Sequence, residues 1–358
     1  MAQGEGRALK VLLTDATSYK AAVIARFLHE NYPAVDVVTC DPRPLSRWLV
    51  TKHRTRHHVL RRRPADGAAY VSELRDLVQR EAVDLLLPVN SAEMDPLLAA
   101  RAELGGALSY WGDLDAFRRL DTKDAALELA RSCGVAVPEV FASAEAAHPP
   151  VVAKPARSSA ARGVRYLATR AQLDAFRPPP GQPYVYQAYA AGQGAGYSVF
   201  SSEGRVLHGF GHRRLAEYPT SGGSSVYRET CEHAGMADAA RRLVEATRWS
   251  GFAMFEFKLT ADGTAVLLEV NPRIWGSIHQ GLAAGVNYFE SLFGPAAPRA
   301  RPDARTYLSP LLYLSLLRYA AAGNLAPLAA FLGGLPRNRA DVPVSDPGAW
   351  LGSLLRAV

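Results

Sequence analysis

Two acidic residues, Glu256 and Glu269, lie on either side of a strong turn signal, Asp262-Gly263. The flanking residues 252–260 and 265–271 are dense in apolar and aromatic side chains, so they predict a β-hairpin. If the turn contains two residues, the register places the two carboxylates directly opposite each other. Like charges across a strand pair are unfavourable, so a folded chain must compensate them.

The predicted register also assigns the two faces of the hairpin. One face carries Phe255, Phe257, Leu268 and Val270, and the other carries Glu256, Lys258, Glu269 and Asn271. Two carboxylates and an amide oxygen suit Mg²⁺, which prefers hard oxygen ligands and completes its shell with water and phosphates. The alternatives are that Lys258 or a distant arginine neutralises the pair, or that the register differs.

A second candidate feature is Lys154, which ends the apolar segment 151–153 and precedes a loop of small residues, 156–163. Its ammonium, the hydroxyls of Ser158 and Ser159, and the backbone N–H groups of the loop could bind a polyphosphate. A solvated strand end is the alternative.

Three further segments could contact substrates. Residues 184–193 predict a strand and turn, across which an adenine could bind the backbone of Ala188 and Tyr189, although an ordinary hairpin fits equally well. Arg213 and Arg214, with the Gly/Ser segment 221–225, could bind a carboxylate or an acyl phosphate. The alternative is a paired surface arginine beside an ordinary turn.

Arg273 follows Asn271 and Pro272, and is expected to leave the hairpin beside the carboxylate face. A guanidinium there could stabilise a transferring phosphoryl group. In the competing interpretation, Arg273, Lys258 and Glu256 form a structural ion network.

The length and composition of the chain limit the number of domains and the expected compartment. The 358 residues predict about two to three domains. Residues 1–10 lack a long apolar segment and residues 308–335 are interrupted by charged and Pro residues, so neither secretion nor a membrane span is expected. The three widely spaced cysteines indicate neither a disulfide framework nor a zinc site, and they favour the cytoplasm.

The net charge of +7 is concentrated in residues 52–63. Nucleic-acid binding is not expected, because no aromatic platform or groove-reading motif accompanies this run. An exposed basic loop or a contact for an anionic substrate explains it equally well.

The first third of the chain alternates strand and helix patterns, which predicts a small parallel α/β domain over residues 8–112. Residues 14–18 lie at the carboxyl end of its first strand, where such sheets bind ligands, but they lack the glycine fingerprint of a dinucleotide site. An antiparallel α+β lobe and a second lobe with the glutamate hairpin are predicted to follow, with a ligand cleft between them.

Together these segments resemble the ATP-grasp superfamily, especially its carboxylate-amine ligase-like branch. The resemblance is carried by Asp121-Thr-Lys123-Asp124, Val152-Ala-Lys154-Pro155, Val185-Tyr-Gln187-Ala-Tyr189, His212-Arg-Arg214 with Gly222-Gly-Ser-Ser225, and Phe255-Glu256-Phe257 with Leu268-Glu269-Val-Asn271-Pro-Arg273. It implies an α/β and α+β fold in which two lobes enclose ATP. The implied domains are an α/β domain (1–112), a small lobe with a preceding helix (113–200), a large lobe with the metal site (201–295) and a C-terminal helical appendage (296–358).

The resemblance also implies roles for individual residues. The nucleotide contacts would be Lys123, Lys154, Ser158, Ser159, Gly163, Gln187, Ala188, Tyr189 and Gln193. Glu256, Glu269 and Asn271 would hold Mg²⁺ or alternatively Mn²⁺, and Arg273 would assist the reacting phosphate. Two departures stand out: the phosphate loop contains Ser and Ala where the family has glycines, and Gln187 and Gln193 stand where the family often has acidic residues.

The chemistry implied by the resemblance is ATP-dependent activation of a small carboxylate as an acyl phosphate, followed by its joining to an amine. Two alternatives remain open: a kinase-like enzyme that phosphorylates without ligation, and a nucleotide-binding regulator without turnover. Small carboxylates and amines are the expected partners, a homodimer is compatible with the sequence, and a membrane partner is not expected.

Overall fold

A computed structural model describes residues 8–158, 161–220 and 222–357, and these form three β-sheets with helices packed around them. Ser159, one of the predicted phosphate contacts, lies outside the described residues.

The N-terminal domain has a parallel sheet of order β3-β2-β1-β4. Its strands are β1 (Lys10–Leu13), β2 (Asp36–Asp41), β3 (Arg56–Val59) and β4 (Leu85–Leu87), and its helices are α1 (Tyr19–Asn31), α2 (Ser46–Leu49), α3 (Ala68–Glu81) and α4 (Ser91–Ala99). Short 3-10 helices span Pro64–Asp66 and Arg101–Leu108. The predicted α/β series is confirmed, and strand β3 was not predicted.

Strand β3 is built from the basic segment 52–63, which therefore contributes to the sheet edge instead of forming only a loop. The guanidinium of Arg56 lies 3.0 Å from the carboxylate of Glu81, at the end of α3. Part of the local positive charge is thus compensated within the domain.

The small lobe follows two helices, α5 (Leu114–Asp121) and α6 (Lys123–Ser132). It contains β5 (Val140–Phe141), β6 (Val151–Pro155), β7 (Arg165–Leu167), α7 (Arg170–Ala175) and β8 (Tyr184–Ala188), with antiparallel strand order β5-β8-β6-β7. Val151 and Ala153 pack with Leu173 of α7. Because side chains alternate along a strand, Val152 and Lys154 point to the opposite face of the sheet.

The large lobe is a seven-stranded sheet of order β13-β12-β9-β10-β11-β14-β15. Its strands are β9 (Gln193–Ser202), β10 (Arg205–Tyr218), β11 (Ser224–Thr230), β12 (Gly251–Leu259), β13 (Ala265–Asn271), β14 (Arg305–Tyr307) and β15 (Asn338–Ala340). The accompanying helices are α8 (Ala234–Thr247), α9 (Ile278–Ala284), α10 (Glu290–Phe293), α11 (Leu311–Ala321), α12 (Ala326–Gly333) and α13 (Pro347–Ala357). Strand β9 belongs to this sheet, although the sequence interpretation placed it within the small lobe.

The β12–β13 hairpin pairs Glu256 with Glu269, as predicted, but by a different route. Thr260 and Thr264 close a three-residue turn, in which Gly263 has φ +82°. The register then shifts between Glu256 and Phe257, because Leu268 is an extra residue in β13. The extra residue in β13 compensates for the extra residue in the turn, so the two glutamates remain opposite each other.

The bulge also changes which leucine is buried. The two-residue turn predicted Leu268 on the apolar face opposite Phe257, but Leu267 pairs with Phe257 and is fully buried. The prediction for Leu268 is therefore wrong. An extra residue reverses the face that each side chain occupies on the turn side of the bulge.

The C-terminal region was predicted to be helical, and it contains three helices but also two strands. Strands β14 and β15 extend the large sheet beyond β11, and α13 returns to pack against α1 and α2 of the N-terminal domain. The exact domain boundaries remain a prediction. Within the described part of the chain, no helix has both the length and the apolar character needed to cross a bilayer.

Aromatic packing joins the N-terminal domain to the large sheet. The ring of Trp111 lies 6.0 Å from that of Trp249 and 5.8 Å from that of Phe252, between ring centroids. A Cβ on Gly251, whose φ is +104°, would lie 2.5 Å from the Trp111 ring, so only glycine fits there. This shared core packs the first domain against the large lobe.

A buried ion pair joins Arg228 of β11 to Asp341, just after β15, and both side chains are fully buried. Arg228 also donates to Thr306 Oγ1 (2.8 Å), and His279 Nδ1 lies 3.0 Å from Asp341 Oδ1. Burial opposes ionisation of Asp341, but Arg228 and His279 outweigh it and lower the pKa of this carboxyl.

We expect Asp341→Ala to reduce the free energy of unfolding by about 3–5 kcal/mol, because it leaves the Arg228 charge buried without its partner. Urea denaturation at pH 7 measures the loss. Since the pKa of Asp341 is lower in the folded state, its contribution is present above the ordinary value of 3.8 and is lost as the pH falls through the folded pKa. The exposed variant Asp238→Ala is the control; equal losses would contradict the prediction.

Candidate functional site

The predicted carboxylate constellation exists in the folded chain. Glu256 and Glu269 lie opposite each other on β12 and β13, and Asn271 reaches both of them. The amide Nδ2 of Asn271 donates to Glu256 Oε1 (3.1 Å) and to Glu269 Oε1 (3.4 Å). The three side chains therefore form one polar cluster at the end of the hairpin.

Each carboxylate of this cluster also contacts a cation. Arg214 Nη2 lies 2.5 Å from Glu256 Oε2, and Lys123 Nζ lies 3.5 Å from Glu269 Oε2. Glu256 is therefore neutralised by a distant arginine, which was one of the alternatives left open by the sequence. Burial opposes its ionisation, but Arg214, Arg273 and Lys154 together lower its pKa, so the carboxylate is charged at neutral pH.

Arg214 is held between two acidic residues. Its Nη1 lies 3.2 Å from Glu217 Oε1 and donates to the carbonyl of Gly223 (3.3 Å). Burial opposes its charge, but Glu256 and Glu217 outweigh burial and raise the pKa of Arg214. Its buried Nε has no hydrogen-bond partner among the residues described, so one donor remains for a ligand.

Arg213, the other arginine predicted to bind an anion, does not reach this cluster. Neighbouring residues of a strand point to opposite faces, so Arg213 leaves β10 on the side away from Glu256. Its Nη2 pairs with Glu229 (2.6 Å), and the side chain is 52% exposed. Of the two adjacent arginines, Arg214 is the one that contacts the carboxylate cluster.

Two lysines converge on the carboxylates. Lys123, the first residue of α6, lies with its Nζ 3.2 Å from Ser158 Oγ and 3.3 Å from the Ser158 carbonyl oxygen. Lys154 projects from β6 and is 8% exposed. Burial and the Lys123 charge lower its pKa, while Glu269 and Glu256 act in the opposite direction. The predicted phosphate-binding lysines and Ser158 therefore adjoin the carboxylate pair.

The residues predicted to contact the nucleotide differ in their present hydrogen bonds. Gln187 pairs with Val152 and so shares the Lys154 face of the small-lobe sheet; its Nε2 is buried without a partner among the described residues. The N–H of Ala188 donates to the carbonyl of Glu139, and that of Tyr189 to the carbonyl of Pro150, both at 2.9 Å. Because these donors are occupied, a base at this edge would have to use carbonyl groups.

Gly163 and Gln193 flank the cleft. Gly163 has φ +78° and its carbonyl accepts a hydrogen bond from the Tyr184 hydroxyl (3.0 Å); a Cβ there would lie 2.7 Å from Pro155 Cγ. The phosphate loop thus needs glycine at this end. The side-chain Nε2 of Gln193 donates to the carbonyl of Arg214, so Gln193 contacts the large lobe in this structure.

Arg273 lies beside the carboxylate face, as expected. It donates through Nη2 to Asn271 Oδ1 (2.6 Å) and through Nε to Ser91 Oγ at the start of α4. Burial lowers the pKa of Arg273. The guanidinium therefore connects the hairpin with the N-terminal domain.

The donor set fits a hard divalent cation that takes few protein ligands. Glu256 and Glu269 supply carboxylates, but the amide oxygen of Asn271 accepts from Arg273 and its nitrogen faces them. Ligation through Oδ1 requires the amide to turn over, a choice that hydrogen-bonding partners determine. No group of three or more His, Cys, Asp or Glu that could hold a metal occurs in the described residues.

Lys20 and its neighbours at the carboxyl edge of the N-terminal sheet were missed by the sequence analysis. Lys20 Nζ donates to the carbonyl of Val89. Burial and the charge of Arg273 lower the pKa of Lys20 to about 7, against the opposing effect of Asp15. The position of residues 14–18 at the end of β1 was an available signal, but nothing local distinguishes Lys20 from a solvated residue in the first turn of a helix.

The lowered pKa of Lys20 makes folding stability pH-dependent. Between about pH 7 and its ordinary value of 10.5, the unfolded chain binds more protons at this side chain than the folded chain does. Its contribution to the free energy of unfolding therefore rises with pH over this interval. We expect Lys20→Met to remove part of the rise, measured by urea denaturation at pH 6.5 and 9.5; an unchanged slope would contradict this. The exposed Lys52→Met variant is the control.

Comparison with known proteins identifies the fold. Residues 199–309 match the family model described as ATP-grasp in the biosynthetic pathway with Ter operon. No match was found among curated proteins. The structure of this chain resembles the biotin carboxylase domain of the Hydrogenobacter thermophilus 2-oxoglutarate carboxylase. The TM-score is 0.64 at 13% identity, and the match covers 83% of this chain and 72% of that one.

Two further solved structures have the same fold. The L-amino acid ligase of Bacillus licheniformis matches with a TM-score of 0.59 and 16% identity, over 84% of this chain and 79% of that one. A Rhizobium etli pyruvate carboxylase variant matches with a TM-score of 0.61 and 19% identity, over 84% of this chain. This chain spans 30% of that carboxylase's length. The family model matches part of the large lobe, and the solved structures confirm the predicted fold.

Proposed function

We propose that this chain, whose fold matches ATP-grasp structures, is an ATP-dependent ligase, which activates a small carboxylate as an acyl phosphate and joins it to an amine. One observation carries the proposal: Lys123, Lys154, Arg214 and Arg273 converge from separate elements on the opposed carboxylates of Glu256 and Glu269. Four cations around two carboxylates give a cluster suited to the polyphosphate and metal of ATP.

In the proposed reaction, an oxygen of the substrate carboxylate attacks the γ-phosphorus of ATP, and the bond to the ADP oxygen breaks. The amine then attacks the acyl carbon, inorganic phosphate leaves, and the amine loses a proton. No protein nucleophile is required. The contribution of the chain is to position the reactants and to stabilise charge on the transferring group.

The position of each residue suggests which part of the nucleotide it would contact. Lys154 and Lys123 would neutralise the phosphate oxygens, with Ser158 beside them and Gln187 offering its free amide donor to the nucleotide. Arg273 would hold the reacting phosphate from the side of the N-terminal domain. These assignments are proposals that rest on the proximity of the side chains.

A divalent cation fits the Glu256 and Glu269 carboxylates, with Asn271 as an additional ligand once its amide turns over. When bound, Mg²⁺ supplies charge neutralisation on the phosphate oxygens. Each carboxylate would then contact both the metal and its present cationic partner, Arg214 for Glu256 and Lys123 for Glu269. The related Hydrogenobacter domain was solved with MgADP, ADP and bicarbonate, which supports the choice of ligands.

Arg214 is the proposed binder of the substrate carboxylate. Its unsatisfied Nε and its position beside Glu256 suit an anion that must lie next to the transferring phosphate. The proposed partners are small acids and amines, and a cytoplasmic location is consistent with the free thiols of Cys40, Cys133 and Cys231.

The test is a phosphate-release screen with ATP, Mg²⁺ and paired acids and amines. The ligase predicts ADP and phosphate in equal amounts, with release that depends on the amine. Phosphorylated acid formed without any amine dependence would instead indicate the kinase-like alternative. AMP and pyrophosphate as products would exclude the acyl-phosphate mechanism.

A further inference from the structure

The small lobe contains a second concave region, an open cavity of about 640 Å³. Its lining includes Arg157, Ser158, Arg162, Gly163, Arg165, Ala175, Phe176, Arg177, Pro179, Gln182 and Tyr184. The volume is within the range of small-molecule sites. The proposed ligase function assigns no role to this cavity.

The cavity lies on the opposite side of the small-lobe sheet from the lysine cleft. Lys154 pairs with Val185, and Pro155 pairs with Tyr184. Because neighbouring strand residues point to opposite faces, Tyr184 faces away from the side occupied by Lys154. Tyr184 packs in the cluster formed with α7, which confirms its side of the sheet. A ligand in this cavity is therefore separate from a nucleotide bound at Lys154.

The charged residues that line the cavity are all positive. Four arginines line the cavity, and no Asp or Glu is found among the described residues that form its wall. Arg165 donates to the carbonyl of Val164 (3.0 Å), and Arg177 donates to the carbonyls of Asp174 and Phe176. Carbonyl groups orient these guanidinium groups but do not cancel their charge.

Arg157 differs from the others because it contacts the N-terminal part of the chain. Its Nη2 lies 3.1 Å from Asp95 and 3.3 Å from Asp121. The adjacent Ser158 contacts Lys123. Ser158 therefore borders both the cavity and the proposed phosphate site.

The cavity also has an aromatic wall, because the rings of Phe176 and Tyr184 lie 5.4 Å apart. Guanidinium groups bind phosphate oxygens in a bidentate manner and retain their charge at all physiological pH values. Several such groups around one cavity match an anion that carries several phosphate charges better than a single carboxylate.

We propose that this arginine-lined cavity is a second anion site, which binds a small ligand with two or more linked phosphate groups. The site lies across the small-lobe sheet from Lys154, shares the loop residues Ser158 and Gly163 with the proposed active site, and does not depend on the ligase assignment. Arg165 and Arg177 would contribute most, since they are not paired with carboxylates in the contacts described above, and Arg157 would bind after exchange with its acidic partners.

The experiment is a calorimetric titration of the full chain with inorganic tripolyphosphate. The wild-type protein should show two classes of site, one in the lysine cleft and one in the cavity. Lys154→Met should weaken only the cleft site. The double variant Arg165→Gln/Arg177→Gln should weaken only the cavity site, by roughly tenfold or more, because each charge-assisted hydrogen bond contributes substantially.

The matched control is Arg170→Gln, which removes one guanidinium from the same lobe outside the cavity, where Arg170 pairs with Asp174. Binding of a fluorescent ATP analogue, measured in parallel, reports the cleft separately. The proposal is overturned if the wild type has a single class of site, if Lys154→Met removes all binding, or if the double variant binds as the wild type does. An equal loss in Arg170→Gln and the double variant, which would indicate general charge screening, overturns it as well.

Discussion

Replacing Lys154 by methionine is expected to lower ATP-dependent turnover by roughly 100-fold or more, which is the order of loss when one preorganised electrostatic donor is removed from an active site. The reason is positional: Lys154 is 8% exposed and shares its electrostatic environment with Lys123, Glu256 and Glu269. Methionine preserves the apolar stem and removes the ammonium. Steady-state ADP production with the best substrate pair from the screen measures the effect.

The variant should still fold, because burial disfavours the charged form of Lys154 and its loss therefore relieves a cost. Thermal denaturation should give a melting temperature at or above that of the wild type. Lys52→Met, which changes an exposed lysine of the basic segment, should leave turnover unchanged. Full activity in Lys154→Met would place the nucleotide elsewhere and contradict the proposed cleft.

Glu269→Gln is expected to abolish detectable turnover while the fold persists. The substitution keeps the size of the side chain but removes one of the two carboxylates that fit the metal, and it also removes the charge that faces Lys123. The repulsion between the opposed glutamates is relieved at the same time, which offsets the lost ion pair. The assay is ADP production over a range of Mg²⁺ concentrations, with urea denaturation as the companion measurement.

Two outcomes would count against the metal assignment. A large loss of stability would show that Glu269 belongs to a structural network with Lys123 and Asn271. Unchanged turnover with an unchanged Mg²⁺ requirement would show that the carboxylate does not bind the metal. Glu203→Gln, which alters a carboxylate that is 73% exposed, controls for the loss of one negative charge.

The glutamate hairpin shows how local patterns can lead to a correct pairing through an incorrect register. The dense apolar segments and the Asp-Gly signal predicted the hairpin itself. The turn has three residues, however, and the bulge at Leu268 restores the pairing of Glu256 with Glu269. Bulges follow from packing against the rest of the sheet, here β9 on the other edge of β12, and leave little trace in a single strand.

The two adjacent arginines, Arg213 and Arg214, give a second example. Their residue types made both candidates for anion binding, and alternation along a strand means that only one can face a given side. Which one does so depends on the register of β10 between β9 and β11. The sequence did not contain that register, so it could not distinguish Arg214, which reaches Glu256, from Arg213, which pairs with Glu229.

By itself, the sequence predicted an α/β domain followed by two further lobes. It also singled out Lys123, Lys154, the Glu256–Glu269 pair and Arg273 as candidate site residues, because each of these predictions depends on residue type and short-range pattern. Only the tertiary structure decided that Arg214 and Lys123 compensate the two glutamates, that Arg273 reaches Ser91, and that Lys20 lies beside them. These contacts join residues far apart in the chain. They form because burial of the shared core brings separate elements together, and no local pattern records which side chains then meet.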